Sequence, residues 1–278
     1  MAAVLIVNPR AGAGRPSCDE LVAAAEARGF ESYVLREGED PAAVARTAGA
    51  DVLAAAGGDG TVSGVAEAAV ERNLPFVCVP FGTRNHFARD AGLDVDDPLS
   101  ALAAVEGVER AVDVGRVNGD LFLNNVSLGL YADLVHRRVR HHGRREALAR
   151  LRALTRLPGD HHLLHARVDG EPLTARVLLV GNNRYTLNGL SLGRRDRLDA
   201  GVLFLWAATG VLPRHWSERS APRFRIELDR PLVHAAVDGE PVELETPLDF
   251  EVLPGSLRLL LPPGLEHGAQ VRERQLAR

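Results

Sequence analysis

The run Val52-Leu53-Ala54-Ala55-Ala56-Gly57-Gly58-Asp59-Gly60-Thr61 constrains this chain more than any other stretch. A short apolar segment stops at a glycine turn that holds one acid. Residues 62–72 follow with good helix formers and no proline. Strand, glycine turn and helix in that order present backbone N–H groups to a phosphate. Gly57, Gly58 and Gly60 admit positive φ and close approach of a ligand. Thr61 is placed to cap the helix and to bond a phosphate oxygen. Asp59 is the unusual member. A carboxylate beside phosphates is repelled unless it meets a cation or takes a proton, so it points to Mg2+ or to base chemistry.

The surrounding chain supports a parallel sheet. Val4–Val7, Ser32–Leu35, Val52–Ala56 and Phe76–Val79 read as strands. Helices are expected at Ser17–Arg28, with Glu20 at capping-box spacing from Ser17, at Pro41–Ala48, which begins on a proline, and at 62–72. Such alternation predicts an α/β unit with a Rossmann-like parallel sheet, and ligands in such sheets bind beyond the carboxyl ends of the strands. A short helix is expected at Leu99–Val105. The character changes near 111–115. Short strands follow, punctuated by Asn118-Gly119, Asp169-Gly170 and Asp238-Gly239, each a hairpin signal. They include Leu121–Val126, Leu163–Val168, Ala175–Val180, Gly201–Trp206, Arg223–Leu228, Leu232–Val237, Leu248–Val252 and Ser256–Leu261. The expected organisation is an α/β nucleotide-binding domain over 1–115, to which 262–278 return, and a mainly antiparallel β-sandwich over 116–261.

Composition removes several classes. All 33 basic residues are arginine, which excludes a P-loop lysine and a Schiff-base lysine. A net charge of −4 carries no global nucleic-acid signature. Two cysteines, Cys18 and Cys78, are too few for a disulfide framework, which makes a reducing cytoplasm the expected compartment. The longest apolar stretch, Val202 to Leu212, is about half a membrane span. Gly189-Leu190-Ser191-Leu192-Gly193 matches a serine-hydrolase elbow, but the required strand before it and helix after it are not expected. His161-His162-Leu163-Leu164-His165 lacks the glutamate of a zinc helix.

Gly57-Gly58-Asp59-Gly60-Thr61 resembles the phosphate-binding motif of the diacylglycerol kinase, sphingosine kinase and NAD kinase superfamily. Pro80-Phe81-Gly82-Thr83-Arg84-Asn85-His86-Phe87-Ala88-Arg89 resembles the P-x-G-T-x-N-D-F-A-R motif of its lipid-kinase branch, and Asn8-Pro9-Arg10-Ala11-Gly12 resembles that branch's opening loop. The resemblance implies an ATP-dependent lipid kinase that uses Mg2+ and phosphorylates a diacylglycerol-like lipid, with phospholipid biosynthesis as its setting. Nucleotide contacts would come from Asn8, Gly12, Arg15, Gly57, Gly58, Gly60, Thr61, Gly82, Thr83 and Asn85. Glu240, in Val237-Asp238-Gly239-Glu240, fits the branch's proposed general base and Asp59 the metal-side acid, or the two roles are exchanged. Arg194 to Gly201 resembles a loop that holds a structural Mg2+ in some bacterial members, which makes Asp196 and Asp199 candidate ligands; ion pairing with the neighbouring arginines is the alternative.

The same resemblance implies a lipid partner met at a membrane surface, peripheral contact with the inner membrane face and no nucleic-acid partner, with homo-oligomerisation left open. The basic stretch 136–156, with eight arginines, is a candidate for contact with anionic headgroups or a solvated surface element. Three positions depart from the pattern. Ser63 and Gly64 replace an Asn and a Glu after the glycine motif, and His86 replaces an Asp. They permit an alternative, a catalytically weak nucleotide- or lipid-binding protein of the same fold. An NAD-kinase-like enzyme with a soluble acceptor is the other rival, and the Pro80–Arg89 loop argues against it.

Overall fold

The computed structural model describes residues 2–12, 16–129, 132, 163–188, 191–209 and 216–265. The basic stretch 136–156, Arg15 and most of the predicted C-terminal return lie outside them. The chain divides into two compact units, Met1–Val112 with Gly255–Arg278, and Asp113–Pro254.

The first unit is built on parallel strands. β1 (Ala3–Val7), β2 (Phe30–Val34), β3 (Val52–Gly57) and β4 (Phe76–Pro80) stand in the order β2-β1-β3-β4. All residues of β1, β3 and β4 are buried. That is why these strands read as unbroken apolar runs and not as alternation. β2, at the edge, buries only Phe30. α1 (Cys18–Glu26) carries the expected capping box, with the Ser17 side chain accepting from Glu20 N and the Glu20 side chain accepting from Ser17 N. α2 (Pro41–Thr47) is capped by Asp40, which accepts from Ala42 and Ala43 N at 3.0 and 3.3 Å. α3 (Asp59–Glu71) follows β3 directly. After β4 come α4 (His86–Asp90) and a 3-10 helix at Pro98–Glu106, which covers the short helix expected at Leu99–Val105.

The second unit is a sandwich. β7 (Asn125–Gly129), β10 (Val177–Asn182), β13 (Leu203–Ala208), β14 (Trp216–Ala221), β16 (Leu232–Val237) and β17 (Glu240–Glu245) form one antiparallel sheet in the order β14-β13-β10-β7-β16-β17. The other layer has β8 (Leu164–Val168), β9 (Glu171–Ala175), β15 (Arg223–Leu228) and the first half of β18 (Leu248–Leu261), with β5 (Val108–Val117) and β6 (Asp120–Phe122) alongside. Val126, Leu128, Leu178, Val180, Leu203 and Leu205 from one sheet meet Val168, Phe224, Ile226, Leu248 and Phe250 from the other in one core. The rings of Phe122 and Phe250 pack edge-on at 6.3 Å. β11 (Tyr185–Asn188) and β12 (Ser191–Arg195) make a separate hairpin.

β18 corrects the sequence expectation. Two strands were predicted around Pro254-Gly255. The structure has one 14-residue strand instead, in which Gly255 takes the bend at φ 60°. Its last residues pair in parallel with β4, Leu259 opposite Phe76. The chain therefore rejoins the first unit at Gly255, seven residues before the return expected at 262. The three turn dipeptides form as read. Asn118 and Gly119, Asp169 and Gly170, and Asp238 and Gly239 all take positive φ, the signature of a type I′ hairpin.

Candidate functional site

The glycine turn sits between β3 and α3, at the carboxyl end of a central strand. α1 and α2 satisfy their first N–H groups with a side-chain cap, whereas α3 begins on Gly58 with no side-chain cap bond. Thr61 is therefore not the cap. It lies inside the helix, and its hydroxyl accepts from Asn8 Nδ2 at 3.0 Å. This bond ties the end of β1 to the first turn of α3. The expectation of positive φ is also corrected, since Gly57, Gly58 and Gly60 are absent from the positive-φ residues. The glycines are needed for space. A Cβ on Gly57 would lie 2.6 Å from the Thr61 Cβ, and one on Gly82 would lie 2.4 Å from the Gly58 Cα. A Cβ on Gly12 would meet the Phe81 ring at 2.5 Å. A Cβ on Gly58 would meet nothing within 4 Å, so open space lies against the turn there.

Gly82 thus presses its loop against the glycine turn. Asn85, in the left-handed conformation at φ 51°, closes that loop on itself. Its Oδ1 accepts from Gly82 N and its Nδ2 donates to Gly82 O, each at 2.9 Å. Thr83 is exposed, and Phe87 is buried as the loop's anchor. Gly64 has a packing reason. A Cβ there would stand 3.1 Å from Pro41 Cγ and 3.4 Å from Ala42 N, so a side chain would press on the first turn of α2.

Asp59 is the first residue of α3, and its side chain is only 8% exposed. Oδ1 accepts from Phe87 N at 3.3 Å and Oδ2 faces His86 Nδ1 at 3.1 Å. The imidazole is half exposed. The thiol of Cys78, on β4, is pushed well above its ordinary range, first by burial and then by the Asp59 charge. In the sequence His86 stands out only as a departure from the motif. Its pairing with Asp59 needs the spatial approach of two loops, for which no local signal exists.

In the second unit the Asp238-Gly239 turn joins β16 to β17 and brings Glu240 out exposed at the start of β17. Asp238, buried, accepts from the backbone N–H groups of Leu123, Asn124 and Asn125 at 2.8, 2.7 and 3.0 Å. The turn that carries Glu240 is therefore pinned to the β6–β7 link. Behind that link lies Arg195, 4% exposed. It donates to the carbonyls of Leu123 and Asn182 at 2.6 and 3.0 Å and to Asn124 Oδ1 at 2.8 Å, and its guanidinium lies 5.2 Å from the Tyr185 ring centroid.

Within the candidate metal loop the chain makes bonds of its own. Asp199 pairs with Arg197 at 3.1 Å. Leu198 O accepts from Asp113 N at 2.7 Å, and Asp113 Oδ2 accepts from Gly201 N at 2.6 Å. Asp196 is exposed. Among the described residues no group of three His, Cys, Asp or Glu side chains gathers to hold an ion. Ser191 to Arg195 is a strand of the β11–β12 hairpin, so the local fold of a hydrolase elbow is absent there.

A parallel α/β unit followed by an antiparallel sandwich is the fold shared with solved diacylglycerol kinase structures. A diacylglycerol kinase structure from Bacillus anthracis superposes with a TM-score of 0.67 over 94% of this chain and 96% of that one, at 19% identity. Residues 2–117 match the diacylglycerol kinase catalytic domain. A probable YegS-like lipid kinase of Pseudomonas aeruginosa is 32% identical over 295 residues, covering 94% of this chain and 95% of the relative. Its counterpart in Klebsiella pneumoniae is 27% identical, covering 94% and 96%. The chain belongs to the YegS-like family of lipid kinases.

Proposed function

We propose that the protein transfers the γ-phosphoryl group of ATP to a hydroxyl of a diacylglycerol-like lipid. The observation that carries this reading is the start of α3. No side chain caps it, and open space lies against Gly58, whereas the two preceding helices are capped by their own sequence. N–H groups at a helix start suit phosphate oxygens. Asn8, Gly12, Gly57, Gly58, Gly60, Thr61, Gly82, Thr83 and Asn85 are proposed to build the nucleotide site. In the described structure Asn8, Thr61 and Asn85 act by holding the loops together, and Gly12, Gly57 and Gly82 by letting them approach. Arg15 is proposed beside a phosphate from its place in the sequence alone.

Mg2+ is proposed to be carried on the nucleotide's phosphates, and a structural ion at Asp196 and Asp199 is proposed from the resemblance of that loop alone. Mg2+ keeps waters and takes substrate phosphate oxygens readily, and bound there it offsets phosphate charge. Asp59 and Glu240 are the proposed acidic groups, Asp59 behind its histidine and Glu240 exposed on its pinned turn. Among the described residues no helix is long and apolar enough to cross a membrane, and the lipid acceptor is proposed to be met at a bilayer surface.

The test is incubation with Mg2+, labelled ATP and mixed micelles of diacylglycerol, sphingosine and related alcohols, with Asp59→Ala and Glu240→Ala in parallel. A labelled lipid product that is lost in both variants supports the reading and names the acceptor. ATP binding with no product from any alcohol would overturn it in favour of a nucleotide-binding protein, the alternative that Ser63, Gly64 and His86 permit.

A further inference from the structure

We propose that His86 is the general base of this protein, oriented by Asp59, so that the glycine-motif acid acts through an imidazole and not directly. The proposal rests on the phosphoryl-transfer reading above. Asp59 is poorly placed to meet an acceptor hydroxyl itself. Its side chain is 8% exposed, one oxygen is held by Phe87 N and the other by the His86 ring. The imidazole that Asp59 faces has half its surface exposed.

The contact also selects the tautomer. A carboxylate only accepts hydrogen bonds, so the 3.1 Å contact places the hydrogen on Nδ1. The lone pair of a neutral imidazole is then on Nε2, the nitrogen away from Asp59. A buried carboxylate that fixes imidazole orientation and stabilises the imidazolium is the arrangement that makes histidine an effective proton acceptor in acyl transfer. Its location suits phosphoryl transfer. His86 follows directly on the loop that Gly82 presses to within backbone contact of Gly58, beside the proposed phosphates. The chain contains no lysine, so no ammonium group competes for this position.

In the step inferred, the lipid hydroxyl gives its proton to His86 Nε2. The oxygen's electron pair forms the new bond to the γ-phosphorus, and the bond from that phosphorus to the β–γ bridging oxygen breaks, leaving ADP. The imidazolium, held by Asp59, returns the proton to solvent once product has left.

Two variants test this in the full-length protein, together with nucleotide binding measured by calorimetry with a non-hydrolysable ATP analogue. His86→Asn retains an amide donor for Asp59 but has no basic nitrogen. It is expected to bind the analogue like the unmodified chain while kcat falls by about 10²- to 10⁴-fold, with KM for the lipid little changed. His86→Ala opens space at the exposed surface, and added imidazole is expected to restore turnover in a concentration-dependent way. Turnover of His86→Asn within about threefold of the unmodified protein, or absence of imidazole rescue, overturns the assignment while leaving the kinase reading intact. An unmodified protein that phosphorylates no lipid overturns both.

Discussion

Asp238→Ala removes one carboxylate and strands three backbone donors. The N–H groups of Leu123, Asn124 and Asn125 all end on Asp238, at 2.8, 2.7 and 3.0 Å, and Leu123 and Asn124 are 0% and 1% exposed. Leaving a buried donor unsatisfied costs about 1–3 kcal/mol. The half-buried Asn125 N–H can recover water, so two such penalties form the larger part. Alanine must also adopt the left-handed backbone at φ 49°, which adds about 1–2 kcal/mol. The expected destabilisation is therefore about 4 kcal/mol, a large share of the ~5–15 kcal/mol that holds a domain folded. Asp238→Asn tolerates the backbone and retains one accepting oxygen, so it should fall between the two, at about 2 kcal/mol. Both tryptophans of the chain, Trp206 and Trp216, lie in the second unit. Their fluorescence during urea titration reports that unit alone, which avoids treating a two-unit chain as one transition. A shift for Asp238→Ala below about 1 kcal/mol would mean that water replaces the carboxylate and that the turn is not pinned as described.

Three further outcomes follow from the same geometry. Arg195→Met should destabilise the tryptophan unfolding transition by about 3 kcal/mol through the orphaned carbonyl groups of Leu123 and Asn182, and a transition left unmoved would show that those carbonyls find other donors. Gly58→Ala should keep its stability, since its Cβ meets nothing within 4 Å, yet lose at least about tenfold in affinity for an ATP analogue (~1.4 kcal/mol). Gly82→Ala should lose stability as well, because its Cβ collides with Gly58 backbone; unchanged calorimetric titrations for both would remove the phosphate site from this turn. Cys78 should resist thiol reagents in the native protein near pH 8. Its folded pKa is raised by burial and by Asp59, above the ordinary thiol value of 9.0. The unfolded thiol therefore ionises first, so the contribution is complete below pH 9 and declines as pH rises beyond it. Cys78→Ala should flatten that alkaline decline in unfolding measurements, and an unaltered slope would refute the assignment.

Much of the fold was legible because its signals are local. The Ser17–Glu20 box, the proline at the start of α2 and the three positive-φ turn pairs each act within a few residues, and each forms where it was expected. β9, β14 and β17 were missed because exposed edge strands carry polar residues with little periodicity. The break expected at Pro254-Gly255 was a local inference as well, and pairing with neighbouring strands overrode it.

The candidate site divides along the same line. Local signals establish a glycine turn with a single acid after a buried strand, the lack of a lysine for phosphates, and an acidic turn, Asp238-Gly239-Glu240, late in the chain. These are facts of residue type and order. Tertiary structure alone decided what the acids face. Asp59 meets His86 because Gly82, having no side chain, lets two loops approach within a backbone contact. Arg195 is buried while Arg194 is exposed, because the pleat of β12 sends successive side chains to opposite faces. Asp238 is a clamp and Glu240 is exposed because the type I′ turn lies against the β6–β7 link, 113 to 115 residues away in sequence. Such contacts depend on the distance between segments remote in the chain, and residue spacing does not encode that distance.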